Sequence, residues 1–354
     1  ESSFTSFRLE GDQFVLILSN CDAAQASERV SPIWERMQSP WRIGAIEHRM
    51  RLHCAMVLYP SQATDPESIL HALAFSMMEA KRRDSQHIVL YDESLMVINH
   101  QREAFRNLLQ ERIEHDELVV EYQPVFQLSD MQIIQVEALV RIIDHGGQMI
   151  YPDNFISIAE ETGQITAMTE QIINRICFFW KTVETCSTSL QRVAVNFSVI
   201  HMMQRDVDSR ILKIIRAHAV APHHIEIEIT ESAMITSFDD IQQAITSFMH
   251  EGVTFALDDF GKGFSNIKTL ISLPFQVVKL DREIMDFGST SPYFLEAIVS
   301  TLHKLGKKIV IEGVETQEQL DLCRQVGIDY AQGYHLSRPV SEQRLLQMLQ
   351  SVTA

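Results

Sequence analysis

The sequence VTFALDDFGKGFSN, residues 253–266, joins an apolar strand pattern to two adjacent carboxylates and a glycine-containing loop. Val253–Leu257 predict a buried strand, and Asp258 and Asp259 follow it directly. Two neighbouring ionised carboxylates repel each other, and burial raises that cost, so a cation is expected between them. A pair of divalent metal ions is one candidate, because such ions prefer carboxylate oxygens. The alternative is an Asp-rich turn that closes the strand, since Asp and Gly are ordinary turn residues.

Outward from this stretch, successive apolar strand patterns end in polar or charged side chains. These residues are Glu137, Asn196, Glu228 with Glu231, Asp258 with Asp259, Lys279, Glu312 with Glu315, and Gln332. Regularly spaced apolar residues predict helices between the strands, and this alternation favours a parallel (βα) barrel over an open sheet, although periodicity alone does not decide between them. The carboxyl ends of barrel strands meet at one rim, so these side chains are expected to converge on a single site. Any one of them could instead be a solvated loop residue.

The first part of the chain has a different pattern. The residues 4–9 and 14–18 predict a β-hairpin, followed by a helix, a strand at 52–59, a second helix and a strand at 87–91. This order is typical of a small α/β module. A polar helix with one apolar face then connects the two parts. We therefore expect a module at residues 1–95, a connecting helix at 96–117 and a larger domain at 118–354.

Composition and charge narrow the classes of function. The 354 residues are enough for about two domains with ample cores. A net charge of −17 argues against binding to DNA or RNA polymers but leaves open a small anionic ligand held through metal ions. No apolar run approaches the ~18 residues that a membrane span needs. The five scattered cysteines favour a reducing compartment. We expect a cytoplasmic chain, or the cytoplasmic part of a larger membrane-attached protein.

The N-terminal module resembles the second half of a GGDEF domain, the diguanylate cyclase family. The resemblance is carried by EGDQF at Glu10–Phe14 and by YPSQATDPESILHALAFSMMEAKRRDSQHIVLYD at residues 59–92. The signature of that family has Gly where Glu10 stands and an acidic residue where Gln13 stands. A carboxylate at position 10 would repel a nucleoside triphosphate. We therefore expect a degenerate, partial module without cyclase activity, and synthesis of cyclic di-GMP from GTP would refute this. It is expected to regulate the barrel by binding GTP or by packing against it.

The segment from about Gln101 to the C-terminus resembles the EAL domain, the cyclic di-GMP phosphodiesterase family. The matching motifs are YQP at 122–124, EALVR at 137–141, AEETG at 159–163, NFS at 196–198, EITES at 228–232, DDFGKGFS at 258–265, KLD at 279–281, EGVE at 312–315 and QGYHLSRP at 332–339. The resemblance implies a (βα)8 TIM-like barrel that hydrolyses cyclic di-GMP to 5′-pGpG. It also implies a homodimer formed through this domain.

The resemblance further implies the roles of individual residues. The implied metal ligands are Glu137, Asn196, Glu228, Asp258 and Asp259. The implied catalytic residues are Lys279 near the metals, Glu315 beside the attacking water, and Glu231, which anchors the loop after Asp259. The implied substrate contacts are Gln123, Arg141, which binds a phosphate, and Gln332. Two Mg²⁺ or Mn²⁺ ions about 3.5–4 Å apart would generate hydroxide and neutralise charge on the phosphorane. Inhibition by Ca²⁺ is expected.

Two further hypotheses remain open beside hydrolysis. The domain could be a receptor that binds cyclic di-GMP without cleaving it, or a protein-interaction module that does not bind the nucleotide. All mapped metal ligands are present, which favours catalysis. One departure concerns the loop, where Lys262 replaces a residue that is commonly Thr. Lys262 could pair with Asp259 or Glu231 and weaken metal binding, but exposure to solvent is favoured because lysine prefers it.

Overall fold

The computed structural model describes residues 4–9, 11–43, 46–48, 52–82, 88–185, 189–231, 238–262 and 273–351. Two structural units are present, Glu1–Ala104 and Phe105–Ala354, and the division falls inside a long helix at Glu93–Glu114. Glu10 and the loop after Lys262, up to Asn266, lie outside the described residues.

The first unit is a small α/β module, as predicted. Its elements are β1 (Phe4–Arg8), β2 (Phe14–Leu18), α1 (Ala23–Gln38), β3 (Trp41–Ile43), β4 (Ile46–His48), β5 (Ala55–Met56), α2 (Pro66–Arg82) and β6 (Val89–Leu90). β1 and β2 form the expected antiparallel hairpin, and β5 pairs with β6 in parallel. The β3–β4 hairpin was not predicted, and β5 and β6 are shorter than the predicted strands. α1 begins where the side chains of Asp22 and Gln25 form a capping box.

The second unit contains the barrel and the helices around it. Its strands are β7 (Val119–Gln127), β8 (Ile133–Ile143), β9 (Met149–Ile150), β10 (Arg192–Asn196), β11 (Ile225–Thr230), β12 (Thr254–Phe260), β13 (Val277–Leu280), β14 (Lys308–Ile311) and β15 (Tyr330–Ala331). Its helices, numbered after α3 (Glu93–Glu114), are α4 (Ile156–Glu161), α5 (Ile165–Val183), α6 (Val199–Met202), α7 (Val207–Ala217), α8 (Phe238–His250), α9 (Arg282–Thr290), α10 (Pro292–Lys304), α11 (Gln317–Val326) and α12 (Glu342–Ser351).

Eight strands close the predicted barrel in the order β8, β10, β11, β12, β13, β14, β15, β7, and β7 returns to β8. All neighbouring pairs are parallel except those made by β7, which runs antiparallel to both β8 and β15. The reversal of β7 was not predicted from the strand pattern. Its cause is the short connection at residues 128–132, because a direct turn can join only antiparallel neighbours, whereas parallel neighbours need a longer crossover.

The barrel interior is built in layers. One apolar cluster, separate from the larger core, consists of Val125, Ala256, Val277 and Val310, with Tyr330 packed against it. These residues come from five different strands of the barrel. Since side chains on a strand alternate between its two faces, the residue two positions further on shares the same face. On β12 and β13 those next residues are Asp258 and Lys279, and the corresponding residues that directly follow β14 and β15 are Glu312 and Gln332. The apolar cluster therefore forms the floor beneath the predicted site.

No helix in the described ranges is long and apolar enough to span a bilayer. The absence of such a helix agrees with the lack of a long apolar run in the sequence.

Candidate functional site

Lys279 lies at the centre of the polar layer above this floor. Its Nζ is 2.8 Å from a carboxylate oxygen of Glu228 and of Glu312, 3.1 Å from Asp258 and 3.3 Å from Glu137. The residue is only 1% exposed. Burial alone would lower the pKa of Lys279, but the surrounding carboxylates, Asp258 foremost, raise that pKa well above its usual value. The four carboxylate contacts therefore favour the protonated ammonium form of Lys279.

Glu137 connects three other site residues. Its Oε1 accepts a hydrogen bond from Asn196 Nδ2 at 2.7 Å, and its Oε2 accepts one from Gln332 Nε2 at 2.8 Å. Burial opposes ionisation of this carboxyl, yet the charge of Lys279 and these hydrogen bonds hold the pKa of Glu137 below its usual value. Glu137 is thus an ionised carboxylate oriented by two amides, one at the end of the neighbouring strand β10 and one directly after β15.

For three other carboxyl groups, nearby positive charge and hydrogen bonds do not offset the cost of burying the ionised form. Burial raises the pKa of Glu228, Glu312 and Asp259 above the usual range for their side chains. Within the described part of the chain, Glu228 Oε1 is buried and has no hydrogen-bond partner. A buried carboxylate oxygen without a donor is costly, and a bound cation would remove that cost.

The carboxylates of the adjacent residues Asp258 and Asp259 lie close together near the end of β12. Successive residues of a regular strand point to opposite faces, so this arrangement requires an irregularity. The pairing of β12 with β13 shifts register between Leu257 and Phe260, and Asp259 has a left-handed backbone with φ of +56°. This is the geometry of a β-bulge, which redirects a side chain. As a result Asp258, Asp259 and Glu312 each offer an oxygen within 4.8 Å of the others.

The donor set fits divalent metal ions. It consists of carboxylate oxygens, which Mg²⁺ and Mn²⁺ prefer, with the Glu228 oxygen that lacks a donor close by. Glu312 belongs to this group, although the sequence interpretation recognised it only as a strand end and gave it no role. The sequence already indicated a site residue at this position. Glu312, the first residue of EGVE, follows an apolar strand pattern in the same way as Asp258 does.

Gly261 supports the bulge from the following position. Its φ is +104°, and a Cβ there would lie 2.4 Å from Ile284 Cγ1. We expect Gly261→Ala to lower the free energy of unfolding by about 3 kcal/mol, because backbone strain and steric overlap add. Gly327→Ala is the matched control, since Gly327 also has positive φ (+81°) but nothing within 4 Å of its Cβ position. That control should lose only about 1 kcal/mol. Equal losses in urea denaturation would show that the Ile284 contact is unimportant.

Metal affinity should rise with pH as Glu312 ionises. Burial raises the pKa of Glu312 to about 8 despite the opposing charge of Lys279. A carboxyl group must lose its proton to bind a metal ion, so below that pKa the affinity should fall by up to about tenfold per pH unit. Calorimetric titration with Ca²⁺ between pH 6 and 8 measures this dependence. Glu312→Gln removes the titrating group and should flatten it, whereas equal pH slopes in both proteins would exclude Glu312 as the cause.

The remaining predicted residues occupy several positions around this cluster. Glu231 is buried, and its backbone nitrogen donates to the carbonyl oxygen of Asp258 at 3.1 Å. The side chain of Lys262 is 60% exposed, with Nζ 3.8 Å from a carboxylate oxygen of Asp259. The structure thus places Lys262 largely in solvent and at the edge of ion-pair distance. Gln123 Nε2 donates to the carbonyl oxygen of Ser337 at 3.2 Å.

Glu315 and Arg141 pair with residues that the sequence interpretation did not single out. Both guanidinium Nη atoms of Arg282 donate to the Glu315 carboxylate, at 2.7 and 3.2 Å. Arg141 Nε donates to Glu121 Oε2 at 2.9 Å. No pattern in the sequence links either pair, because the partners lie in different segments: Glu315 between β14 and α11, Arg282 on α9, Glu121 on β7 and Arg141 on β8.

A closed barrel with carboxylates and a buried lysine at the carboxyl ends of its strands defines the class: a (βα)-barrel protein with a metal-compatible acidic site. The chain belongs to the EAL domain family, whose profile matches residues 106–339. A second profile, for the diguanylate cyclase GGDEF domain, matches residues 1–87. Both resemblances inferred from the motifs are thereby confirmed.

Relatives and solved structures agree with this assignment. The chain is 27% identical over 336 residues to the cyclic di-GMP phosphodiesterase NbdA of Pseudomonas aeruginosa, covering 94% of this chain and 43% of NbdA. It is 27% identical over 345 residues to the bifunctional diguanylate cyclase/cyclic di-GMP phosphodiesterase MucR of the same organism, covering 97% and 50%. The chain therefore spans half or less of the length of these relatives. The PaMucR phosphodiesterase in complex with c-di-GMP superposes with a TM-score of 0.64 and 28% identity, over 68% of this chain and 99% of that one.

Proposed function

We propose that this chain hydrolyses one phosphodiester bond of cyclic di-GMP to give 5′-pGpG, with two divalent metal ions at the carboxylate site. The observation that carries the proposal is the buried cluster of Glu137, Glu228, Asp258 and Glu312 around Lys279. Such a concentration of negative charge at the carboxyl ends of barrel strands suits an anionic substrate only if cations accompany that substrate. The similarity to NbdA and MucR, both cyclic di-GMP phosphodiesterases, supports the same substrate.

The metal ions would be held by oxygens from several strands. We assign as ligands Glu137, Asn196, Glu228, Asp258 and Asp259, and we add Glu312 on the basis of its position. When bound, Mg²⁺ or Mn²⁺ supplies Lewis-acid polarisation of the phosphate and a hydroxide nucleophile at neutral pH. The protein contributes the fixed positions of these oxygens. The two carboxylate oxygens of Glu137, for example, are oriented by the side-chain amides of Asn196 and Gln332.

Other side chains would bind and orient the substrate. Lys279 is a permanent positive charge that can stabilise negative charge developing on the phosphate. Gln332 has a buried amide oxygen without a hydrogen-bond partner in the described ranges, and this oxygen can accept a hydrogen bond from the substrate or a water. We keep Arg141 and Gln123 as substrate contacts and Glu231 as the anchor of the loop after Asp259.

Glu315 would lie beside the attacking water. Its carboxylate is held by Arg282, which would fix its position at the rim while leaving its outer lone pairs able to accept a hydrogen bond from water. The proposal therefore includes Arg282 as the residue that orients Glu315.

The direct test is turnover of cyclic di-GMP by the purified chain. We expect 5′-pGpG to appear by chromatography with Mg²⁺ or Mn²⁺ and to be suppressed by Ca²⁺. Nucleotide that stays intact under conditions where an active phosphodiesterase cleaves it would reject the proposal. Calorimetry in Ca²⁺ then separates the alternatives, because binding without turnover indicates a receptor and absence of binding indicates an interaction module.

The first unit and the assembly complete the proposal. We propose that the first unit makes no cyclic di-GMP and instead regulates the barrel, so that adding GTP to the full chain, or deleting residues 1–95, changes its kinetics.

We also propose a homodimer through the barrel, to be measured by analytical ultracentrifugation. A cytoplasmic location is proposed because the described cysteines, including buried Cys177 and Cys323, are free thiols.

A further inference from the structure

We propose that Glu121 is a positioning residue that holds the guanidinium of Arg141 in the orientation needed to bind a substrate phosphate. The inference rests on the proposed function, because that proposal assigns Arg141 to a phosphate of cyclic di-GMP.

Glu121 and Arg141 are diagonal neighbours on the same face of the β7–β8 pair. The register places Glu121 opposite Leu139 and Arg141 opposite Val119, and alternation puts all four side chains on one face. Arg141 follows Glu137 by four residues on that face, so it lies nearer to the carboxyl end of β8 than the carboxylate cluster. Arg141 is therefore placed to contact a ligand that binds to the carboxylate cluster from the rim side of the barrel.

The guanidinium of Arg141 is fixed on three sides. Nε donates to Glu121 Oε2 at 2.9 Å, and Nη1 donates to the carbonyl oxygen of Val140 at 2.9 Å. The ring of Tyr151 lies under the group, with its centroid 5.0 Å from Cζ. In the part of the chain that the structure describes, Nη2 has no hydrogen-bond partner. The contacts thus use hydrogens of Nε and Nη1 and leave Nη2 for a ligand.

Such fixation matters for phosphate recognition. The guanidinium group binds phosphate through hydrogen bonds in a fixed plane, so its orientation decides how many can form at once. A long side chain that is already ordered loses less rotational entropy when the ligand binds. Glu121 could in principle compete with the phosphate as an anion, but it contacts Nε, while Nη2 stays free. The geometry therefore favours positioning over competition.

Binding of cyclic di-GMP in Ca²⁺, measured by calorimetry, tests the inference on the full chain. We expect E121A to weaken binding by about tenfold, the factor set by one charge-assisted hydrogen bond. E121Q should recover most of that loss, because the amide oxygen of glutamine can still accept from Nε. In an R141A background E121A should add nothing further, since Glu121 acts through Arg141. In Mg²⁺ the same change should appear in KM more than in kcat.

Asp130→Ala is the matched control, because Asp130 is an exposed carboxylate at the turn between β7 and β8, away from Arg141. It should bind as the wild type does, and all variants should show the same heat of Ca²⁺ binding without nucleotide. Binding by E121A that equals or exceeds wild type would overturn the inference, as would an equal loss in the R141A background. If the wild type binds cyclic di-GMP without cleaving it, hydrolysis is rejected, but the binding comparisons still decide the role of Glu121. A wild type that does not bind the nucleotide would reject both proposals.

Discussion

Lys279→Met should abolish measurable turnover and lower the stability of the metal-free protein by about 3–5 kcal/mol, the usual cost of removing one partner from a buried charge network. The substitution keeps much of the volume of the side chain but leaves Glu137, Glu228, Asp258 and Glu312 without the ammonium group that contacts all four. Repulsion among these carboxylates would then oppose folding. Urea denaturation in EDTA measures the loss.

Two comparisons make the Lys279 result specific. Lys308→Met removes a lysine from the adjacent strand, where Lys308 pairs with Asp329 at 2.6 Å at the surface, and should cost no more than about 1 kcal/mol. Added Ca²⁺ should stabilise Lys279→Met more than the wild type, because divalent cations would replace the missing charge. If Lys279→Met is as stable as Lys308→Met in EDTA, the ammonium does not hold the cluster together.

Glu137→Ala should reduce kcat by about 10³-fold or more, because loss of a metal ligand removes several kcal/mol of charge stabilisation in the transition state. The variant removes the acceptor of hydrogen bonds from Asn196 and Gln332 as well as one contact of Lys279. Ca²⁺ affinity, measured by calorimetry without nucleotide, should fall with turnover. This second measurement separates loss of the metal from loss of substrate contacts.

Glu226→Ala is the matched control for Glu137→Ala. Glu226 is also a fully buried carboxylate inside the barrel, but it lies one layer deeper, where it accepts a hydrogen bond from Gln135 at 2.7 Å and pairs with Arg192 at 3.4 Å. Both substitutions should destabilise folding. Only Glu137→Ala should lose both metal affinity and turnover, so a similar loss of both in the two variants would mean that they act through a general disturbance of the barrel.

Residue patterns were sufficient to place most of the candidate site. Asp258, Lys279 and Glu312 each follow an apolar strand pattern, and strand periodicity together with barrel topology brings such residues to one rim. Glu315 shows the limit of this argument. It lies beyond the end of β14, in the connection to α11, and its carboxylate pairs with Arg282, a residue of α9 that the strand patterns could not connect to it.

The sequence by itself determined the family, the alternation of strands and helices, and the set of polar residues at the carboxyl ends of the strands, because these depend on local periodicity and on short motifs. The tertiary structure alone decided the antiparallel direction of β7, the bulge that turns Asp259 toward Asp258, and the pairing of Arg141 with Glu121. It also decided that Lys279 meets Glu137, 142 positions away. These features arise from pairing between strands and from packing across the barrel, which depend on contacts between segments far apart in the chain.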